Sequence, residues 1–130
     1  MSLIDTSYAS FGSAVSGSGQ TVGATSVDLV TLMFPIRTVC LLEFFLVGYE
    51  IFTENGIVHK ALRGYKKTED SVGALLDSAI TNVVQYTDGA TVGAIGSIVV
   101  VSNNPVLRAT GVGGRTINWV GSMSVVRVSS

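Results

Sequence analysis

Hydrophobic and polar residues alternate with a period of two along much of this chain, which is the pattern of β-strands with one face in a core. The clearest stretch is 106–128, where a Gly-Val-Gly-Gly turn at 111–114 separates two apolar runs. Glycines suit such a reversal because they take positive φ at little steric cost. One face of the second run carries Ile117, Trp119, Met123 and Val125. We predict a β-hairpin over 106–128, with Trp119 in the core.

The longest β-like run, 38–53, is largely apolar at both alternating sets of positions. A strand of this kind is either covered on both sides or crosses an interface. Asn55-Gly56 follows it, which is the strongest short signal for a hairpin. We therefore expect the chain to turn there and to return as a strand over 58–67.

The predicted return strand is basic. On a strand, its basic residues His59, Arg63 and Lys67 would share a face with Ala61 and Tyr65. A basic face is compatible with phosphate or nucleic-acid binding. We favour a solvated sheet edge, because lysines at edges prevent unwanted strand pairing.

Two segments leave alternatives open. Residues 13–25 are rich in Gly, Ser and Thr, which fits a flexible linker or a short strand with small side chains. Residues 72–86 begin with helix-favouring alanines and leucines and end with β-branched residues. They fit one helix or a strand, a loop and a second strand, and we predict the latter.

Together these patterns predict an all-β fold: an antiparallel β-sandwich of jelly-roll type, with about eight strands. We divide the chain into an extended N-terminal arm at 1–25 and a β-sandwich domain at 26–130. The predicted core includes Phe44, Leu46, Val99, Trp119 and Val125. The arm carries apolar residues without a clear period, which we expect to pack only on contact with a surface, either of this chain or of a neighbouring one. These are Leu3, Ile4, Tyr8 and Phe11.

Composition adds the expectation of an oligomer. Hydrophobic residues make up 47% of the 130 residues and charged residues only 13%, against about 25% charged in a typical soluble domain. Either subunit contacts bury much of the surface, or Ser, Thr and Gly provide a neutral exterior. The net charge of −1 gives no field towards nucleic acid or anionic lipid. The longest apolar run, Val39 to Val47, is short and contains Glu43, whereas a spanning helix needs about 20 apolar residues. We therefore expect neither nucleic acid nor membrane as a partner.

No constellation of catalytic residues is visible. His59 is the only histidine, so a metal site built on paired histidines cannot form. The glycines at 111–114 do not open a helix and so fail the dinucleotide-binding pattern. Cys40 lies in an apolar run, and we expect it to be a small buried hydrophobic residue rather than a nucleophile. We expect no enzymatic activity, no metal and no cofactor.

The segment around the predicted hairpin resembles a set of small tailed-phage virion proteins. Their shared pattern is Asn-Asn-x-Val-x-Arg-x-Thr-Gly-x-x-Gly-x-Thr-Ile-Asn-Trp-Val, matched here from Asn103 to Val120. Tyr65-Lys66-Lys67 and Asp88-Gly89-Ala90 also match. The resemblance implies a head-decoration (cement) protein or a tail-fibre-associated protein, with a β-sandwich fold and commonly trimeric.

On this resemblance we expect a virion protein, assembled in the host cytoplasm as a homotrimer. The first expectation is a cement protein that bridges neighbouring subunits of the major capsid protein through Leu3, Ile4, Tyr8 and Phe11. The alternative is a tail-fibre or receptor-binding module that recognises a host surface glycan. A sugar would then stack on one of three tyrosines: Tyr49, Tyr65 or Tyr86.

Overall fold

The computed structural model describes residues 14–130, and within this range the chain forms nine β-strands. They are β1 (Val15–Val22), β2 (Ser26–Thr31), β3 (Thr38–Glu50), β4 (Gly56–Lys67), β5 (Gly73–Leu75), β6 (Thr81–Thr87), β7 (Ile95–Val101), β8 (Asn104–Thr110) and β9 (Thr116–Ser129). A 3-10 turn, Gly89–Thr91, precedes β7.

The strands form two antiparallel sheets. The larger runs β1-β9-β3-β4, with β5 and β6 both paired to the far side of β4. The smaller runs β2-β8-β7. The predicted antiparallel β-sandwich is therefore confirmed, with its core between the two sheets.

The core is built from alternate positions of the long strands. Along β3, every even-numbered residue from Thr38 to Glu50 is buried, whereas the odd-numbered ones are exposed or half-buried. Trp119, Phe44 and Leu46 are buried as predicted, and the indole Nε1 of Trp119 donates a hydrogen bond to Thr21 Oγ1 at 2.9 Å. The indole nitrogen therefore has a partner in the core.

Two predicted core valines differ from expectation. Val125 is only partly buried, although it packs against the core. The prediction for Val99 is wrong, because Val99 is half-buried and its neighbour Ile98 is the buried residue. The run 98–101 is apolar at every position, so periodicity did not indicate which residues face inward.

The predicted hairpin over 106–128 is wrong in its pairing. β8 lies between β2 and β7, whereas β9 lies between β1 and β3 in the other sheet. The two strands meet face to face across the core: a Cβ on Gly121 would lie 2.7 Å from Leu107 Cδ2. Both strands show a period of two, which identifies an inward face but not the neighbouring strand.

Residues Val15–Val22, within the predicted arm, form a strand rather than a flexible linker. β1 pairs with β9 along its whole length, from Val15 opposite Met123 to Val22 opposite Thr116. Small side chains are required here, because a Cβ on Gly17 would overlap the carbonyl oxygen of Leu29. The larger sheet thus begins before residue 26. Leu3, Ile4, Tyr8 and Phe11 lie outside the described residues, and their role stays a prediction.

The predictions for residues 72–86 and for the turn between β3 and β4 are confirmed, with one difference in the turn. Residues 72–86 form β5, a loop and β6, as predicted. The β3–β4 hairpin is present, but its positive φ falls on Glu54 rather than on Asn55-Gly56. Asn55 instead stabilises the 3-10 turn Gly89–Thr91, because its Oδ1 accepts a hydrogen bond from Ala90 N at 2.8 Å.

The predicted solvated basic edge is wrong. β4 is an inner strand, paired with β3 on one side and with β5 and β6 on the other. The face that carries His59 and Tyr65 points into the core, because it also carries the buried Ile57 and Ala61. Arg63, on the same face, pairs with Asp77 at 3.0 Å.

His59 and Cys40 are structural groups of the core. His59 Nε2 lies 2.7 Å from Asn82 Oδ1, and its Nδ1 accepts a hydrogen bond from Gly96 N at 3.3 Å. These partners fit a neutral ring protonated at Nε2. Cys40 is buried, as predicted. Burial raises the pKa of its thiol to about 12, against a smaller opposing effect of Arg127.

Candidate binding face

The larger sheet has an apolar surface on the side turned away from the core, which we call the outer face. On β3 it consists of the odd-numbered residues, whose even-numbered neighbours fill the core. This explains why the run 38–53 is apolar at both sets of positions: one set is core, and the other is exposed. Ten large hydrophobic side chains on this face are 40–69% exposed: Val39, Leu41, Phe45, Val47, Tyr49, Val58, Tyr86, Val120, Val126 and Val128.

Strand register arranges these side chains in rows across the sheet. One row joins Val120, Val47, Val58 and Tyr86 on β9, β3, β4 and β6. Nearer the other end of β3, Val126 lies opposite Leu41, and Val128 lies opposite Val39. Directly opposed side chains on one face are in contact distance, so each row is a continuous apolar strip.

A polar belt separates the two ends of the outer face. Glu43 and Lys60 form a salt bridge of 3.7 Å there, and Ser124 lies opposite Glu43 on β9. Lys60 Nζ also lies 5.1 Å from the centre of the Phe45 ring. The charges of the belt are thus satisfied within the chain, so the face carries little net field.

At the end nearest the β3–β4 hairpin, the outer face opens into a groove of about 610 Å³, which we call the tyrosine groove. Tyr49 and Tyr86 line it and are 49% and 69% exposed. Val47, Val58 and Val120 supply apolar wall, and Asn118 and Asp88 supply polar groups.

The polar groups of the groove are fixed by neighbouring strands. Asp88 Oδ1 accepts a hydrogen bond from Gly56 N at 2.6 Å. Asn118 Oδ1 accepts one from Gln20 Nε2 at 2.8 Å. The groove therefore combines two exposed aromatic rings with polar groups held in place, which is the usual composition of a small-ligand site.

At the opposite end of the face lies a set of exposed aliphatic side chains, which we call the aliphatic patch. Its members are Val39, Leu41, Leu76, Val126 and Val128. Leu76 belongs to it because the loop after β5 places this side chain over Gly64, where a Cβ would lie 3.2 Å from Leu76 Cβ. Gly64 itself pairs with Leu41, so Leu76 extends the row of Val126 and Leu41.

Of the three tyrosines predicted to stack a sugar, the structure brings two together. Tyr65 is excluded because it is buried and its hydroxyl donates to the carbonyl oxygen of Asn103. Burial also raises the pKa of this phenol. Parity did not reveal this burial, since Tyr65 shares a face with the basic residues His59 and Arg63, a face that the sequence analysis predicted to be solvated.

The groove residues on other strands were missed by the sequence reasoning. Val58, Asn118 and Val120 join Tyr49 only through the register of β4 and β9 with β3. No local signal in the sequence specifies that register.

Within residues 14–130, no three His, Cys, Asp or Glu side chains are grouped so as to hold a metal ion. No helix in that range is long and apolar enough to cross a membrane.

Comparison with known proteins gives two structural neighbours. No protein-family model matches the chain, and no curated protein matches it. The tailspike protein of Acinetobacter baumannii phage AM24 is similar with a TM-score of 0.45 and 10% identity, over 90% of this chain and 26% of that one. The tailspike protein of Acinetobacter phage vB_ApiP_P1 is similar with a TM-score of 0.42 and 17% identity, over 87% and 22%. The chain thus spans about a quarter of each tailspike chain.

Proposed function

We propose that this protein is a structural, non-catalytic component of a bacteriophage virion that works as a binding module through its outer face. The observation that carries the proposal is the exposed apolar surface that crosses β9, β3, β4 and β6. Soluble monomers rarely expose contiguous apolar patches beyond roughly 300–600 Å², and larger ones mark interaction sites. The assignment to a virion follows the sequence resemblance from Asn103 to Val120.

We further propose that the module is tail-associated and that the tyrosine groove binds a host surface glycan. Sugar rings present C–H groups on their faces and hydroxyls at their edges. Tyr49 and Tyr86 offer aromatic surfaces to the former, and Asn118 and Asp88 offer hydrogen-bonding groups to the latter. The groove is open, so it can admit one end of a long chain of sugars.

A glycan array tests the groove. We expect the intact protein to bind a subset of bacterial surface glycans, and Tyr86→Ala and Tyr49→Ala each to weaken binding at least tenfold. Phe52→Ala is the matched control, because Phe52 is an aromatic residue that is 77% exposed but lies outside the groove. Equal loss of binding in the Phe52 variant, or no binding by the intact protein, would contradict the glycan proposal.

A cement role on the head is the second candidate. Its partner would be the major capsid protein, and its contacts would be Leu3, Ile4, Tyr8 and Phe11. A segment that orders on docking can wrap a partner, and many weak sites on one shell add through avidity. Binding the assembled shell in preference to its loosened form would stabilise the shell.

Labelling of virions distinguishes the two roles. Antibodies against this chain, applied to particles produced from the genome that encodes it, should label the tail if the first proposal is right. Label on the head would favour the cement role, and loss of head binding on deletion of 1–11 would support the arm contacts. Particles without label would refute both.

A further inference from the structure

We propose that the tyrosine groove holds one sugar ring over Gly56, between Tyr49 and Asp88, and that Asp88 makes this position select neutral and amino sugars over acidic ones. This selectivity rests on the proposed glycan function of the groove, to which it adds the place and the charge class of the sugar. Three features of the groove support it: the strand register, the empty side-chain position at Gly56 and the charge of the lining.

Gly56 leaves an opening in a row of side chains across the outer face. Register places Tyr49 opposite both Asn118 on β9 and Gly56 on β4. Asp88, directly after β6, continues the row, because its backbone N donates a hydrogen bond to Gly56 O at 3.2 Å. Of the described residues beyond its chain neighbours, only Gly48 would lie within 4 Å of a Cβ on Gly56, with its backbone oxygen at 3.6 Å. The space above Gly56 is therefore open.

The opening has the walls and the size of a position for one sugar ring. Tyr49 and Asp88 are two strand spacings apart across Gly56, which is about 10 Å at about 4.8 Å per strand. Tyr86 and Val58 line the groove beside them. A ring over Gly56 can therefore set an apolar face on the tyrosine rings while its polar edge meets Asp88.

Asp88 gives the groove a negative charge that no described residue of its lining offsets. The lining contains no lysine, arginine or histidine from the range 14–130, and Asp88 belongs to none of the salt bridges in that range. Lys60, two outer rows from Gly56 on β4, already pairs with Glu43. The carboxylate is exposed, and after it accepts the bond from Gly56 N it retains lone pairs for a ligand.

The chemistry of a carboxylate sets the class of sugar. It accepts hydrogen bonds and donates none, so a hydroxyl or an ammonium group can donate to Asp88, and such charge-assisted bonds are stronger than neutral ones. The carboxylate of an acidic sugar has no proton to offer. At about 5 Å, its repulsion from Asp88 would weaken binding between about fourfold and a few hundredfold, depending on the effective dielectric constant. The position therefore favours neutral and amino sugars.

An array that carries neutral, amino-sugar and uronic-acid glycans tests the charge class. The intact protein should bind acidic glycans at least tenfold more weakly than neutral ones. Asp88→Asn should bring the two classes closer at least fivefold, because the amide oxygen can keep the bond to Gly56 N but the charge is lost. Glu54→Gln is the matched control, since it removes a charge from an exposed residue at the same end of the sheet but outside the groove. This control should leave the ratio unchanged.

Salt provides a second readout of the charge. Raising NaCl from about 20 mM to about 500 mM should narrow the difference between acidic and neutral glycans in the intact protein, because salt screens the repulsion. The same change should have little effect on the difference in Asp88→Asn. An acidic glycan bound as tightly as neutral ones by the intact protein, or an equal ratio in the Asp88 variant and the intact protein, would overturn the inference.

Gly56→Val tests the place of the sugar. Its side chain fills the opening, so binding to every array glycan should weaken at least tenfold, and Gly56→Ala should cause a smaller loss. Thermal melts show whether both variants fold, and the alanine variant decides the question if the valine variant does not. Unchanged binding by a folded Gly56→Val, or by Gly56→Ala in its place, would overturn the inference while glycan binding itself stands. Absence of binding to any glycan by the intact protein would instead refute the proposed function, and the inference with it.

Discussion

Replacement of Gly17 by alanine tests how the two sheets close on each other. Gly17 lies on β1, opposite Gly121 of β9, and a Cβ at this position would overlap the carbonyl oxygen of Leu29 on β2. The obstacle is backbone, so no side-chain rotation can relieve it. Accommodation requires β1 or β2 to move, which would also disturb the hydrogen bond between Thr21 and Trp119.

We expect Gly17→Ala to lower the free energy of unfolding by about 3 kcal/mol, the upper part of the range for overpacked cores. For a chain of this size that corresponds to a fall in Tm of roughly 10 °C or more. Gly113→Ala is the control: no atom lies within 4 Å of a Cβ there, and φ is not in the left-handed region. This control should be neutral or slightly stabilising, because alanine restricts the unfolded chain.

Urea denaturation followed by tryptophan fluorescence measures both variants, since Trp119 is the only tryptophan. A Gly17 variant as stable as the Gly113 variant would show that β1 does not pack closely on β2. That result would contradict the close contact between the two sheets at Gly17 and Leu29.

Two further predictions concern groups in the core. Thr21→Val should lower the free energy of unfolding by about 1–3 kcal/mol, because it leaves the buried Nε1 of Trp119 without an acceptor. Thr25→Val is the control, because the hydrogen bond that the Thr25 hydroxyl donates to Val22 O is exposed. Equal effects of the two variants in urea denaturation would contradict the role of the bond between Trp119 and Thr21. The free energy of unfolding should also fall above pH 9. The pKa of the Cys40 thiol is about 12 in the folded chain and 9.0 when the thiol is exposed by unfolding. Between these values only the unfolded chain releases the proton, which favours unfolding by about 1.4 kcal/mol per pH unit. Cys40→Ala should reduce that slope in thermal melts from pH 8 to pH 11, and an unchanged slope would refute it.

The parts of the fold that could be predicted are those set by a single strand. Alternation identified the inward face of β9, and the apolar character of both faces of the run 38–53 indicated a strand with a second surface to cover. Trp119 was placed in the core by its size and by its position within a clear alternating pattern. Each of these conclusions needs only the side-chain geometry of one strand.

The parts that failed depend on which strands are neighbours. The segments before and after the glycine turn at 111–114 are both good strands, yet they belong to different sheets. The charges on β4 suggested an edge, whereas β5 and β6 cover that side. Local sequence does not encode these long-range pairings, which arise from the best simultaneous packing of all the apolar faces.

The candidate site shows the same division. Tyr49 could be placed on the outer face of β3, because the predicted core residues Phe44 and Leu46 have the opposite parity. The burial of Tyr65 could not be predicted, because it shares a face with His59 and two charged residues, which suggested a solvated surface. The tyrosine groove itself exists only because the register sets Tyr86 in the row of Val58, Val47 and Val120. Residues from four strands contribute to this row, so no motif of contiguous residues describes it.

The polar belt divides the apolar outer face into the tyrosine groove and the aliphatic patch. A continuous apolar face would associate along its whole length, and the rings of Tyr49 and Tyr86 would then be buried between subunits. The salt bridge between Glu43 and Lys60 is half-exposed and contributes little to the stability of the single chain. Its effect is instead positional: if the face is covered, both charges must keep each other as partners, so the middle of the face is more costly to bury than the apolar rows on either side. Replacement of both Glu43 and Lys60 by leucine should therefore promote self-association and, by covering Tyr49 and Tyr86, weaken glycan binding. Self-association without any loss of glycan binding would contradict this account.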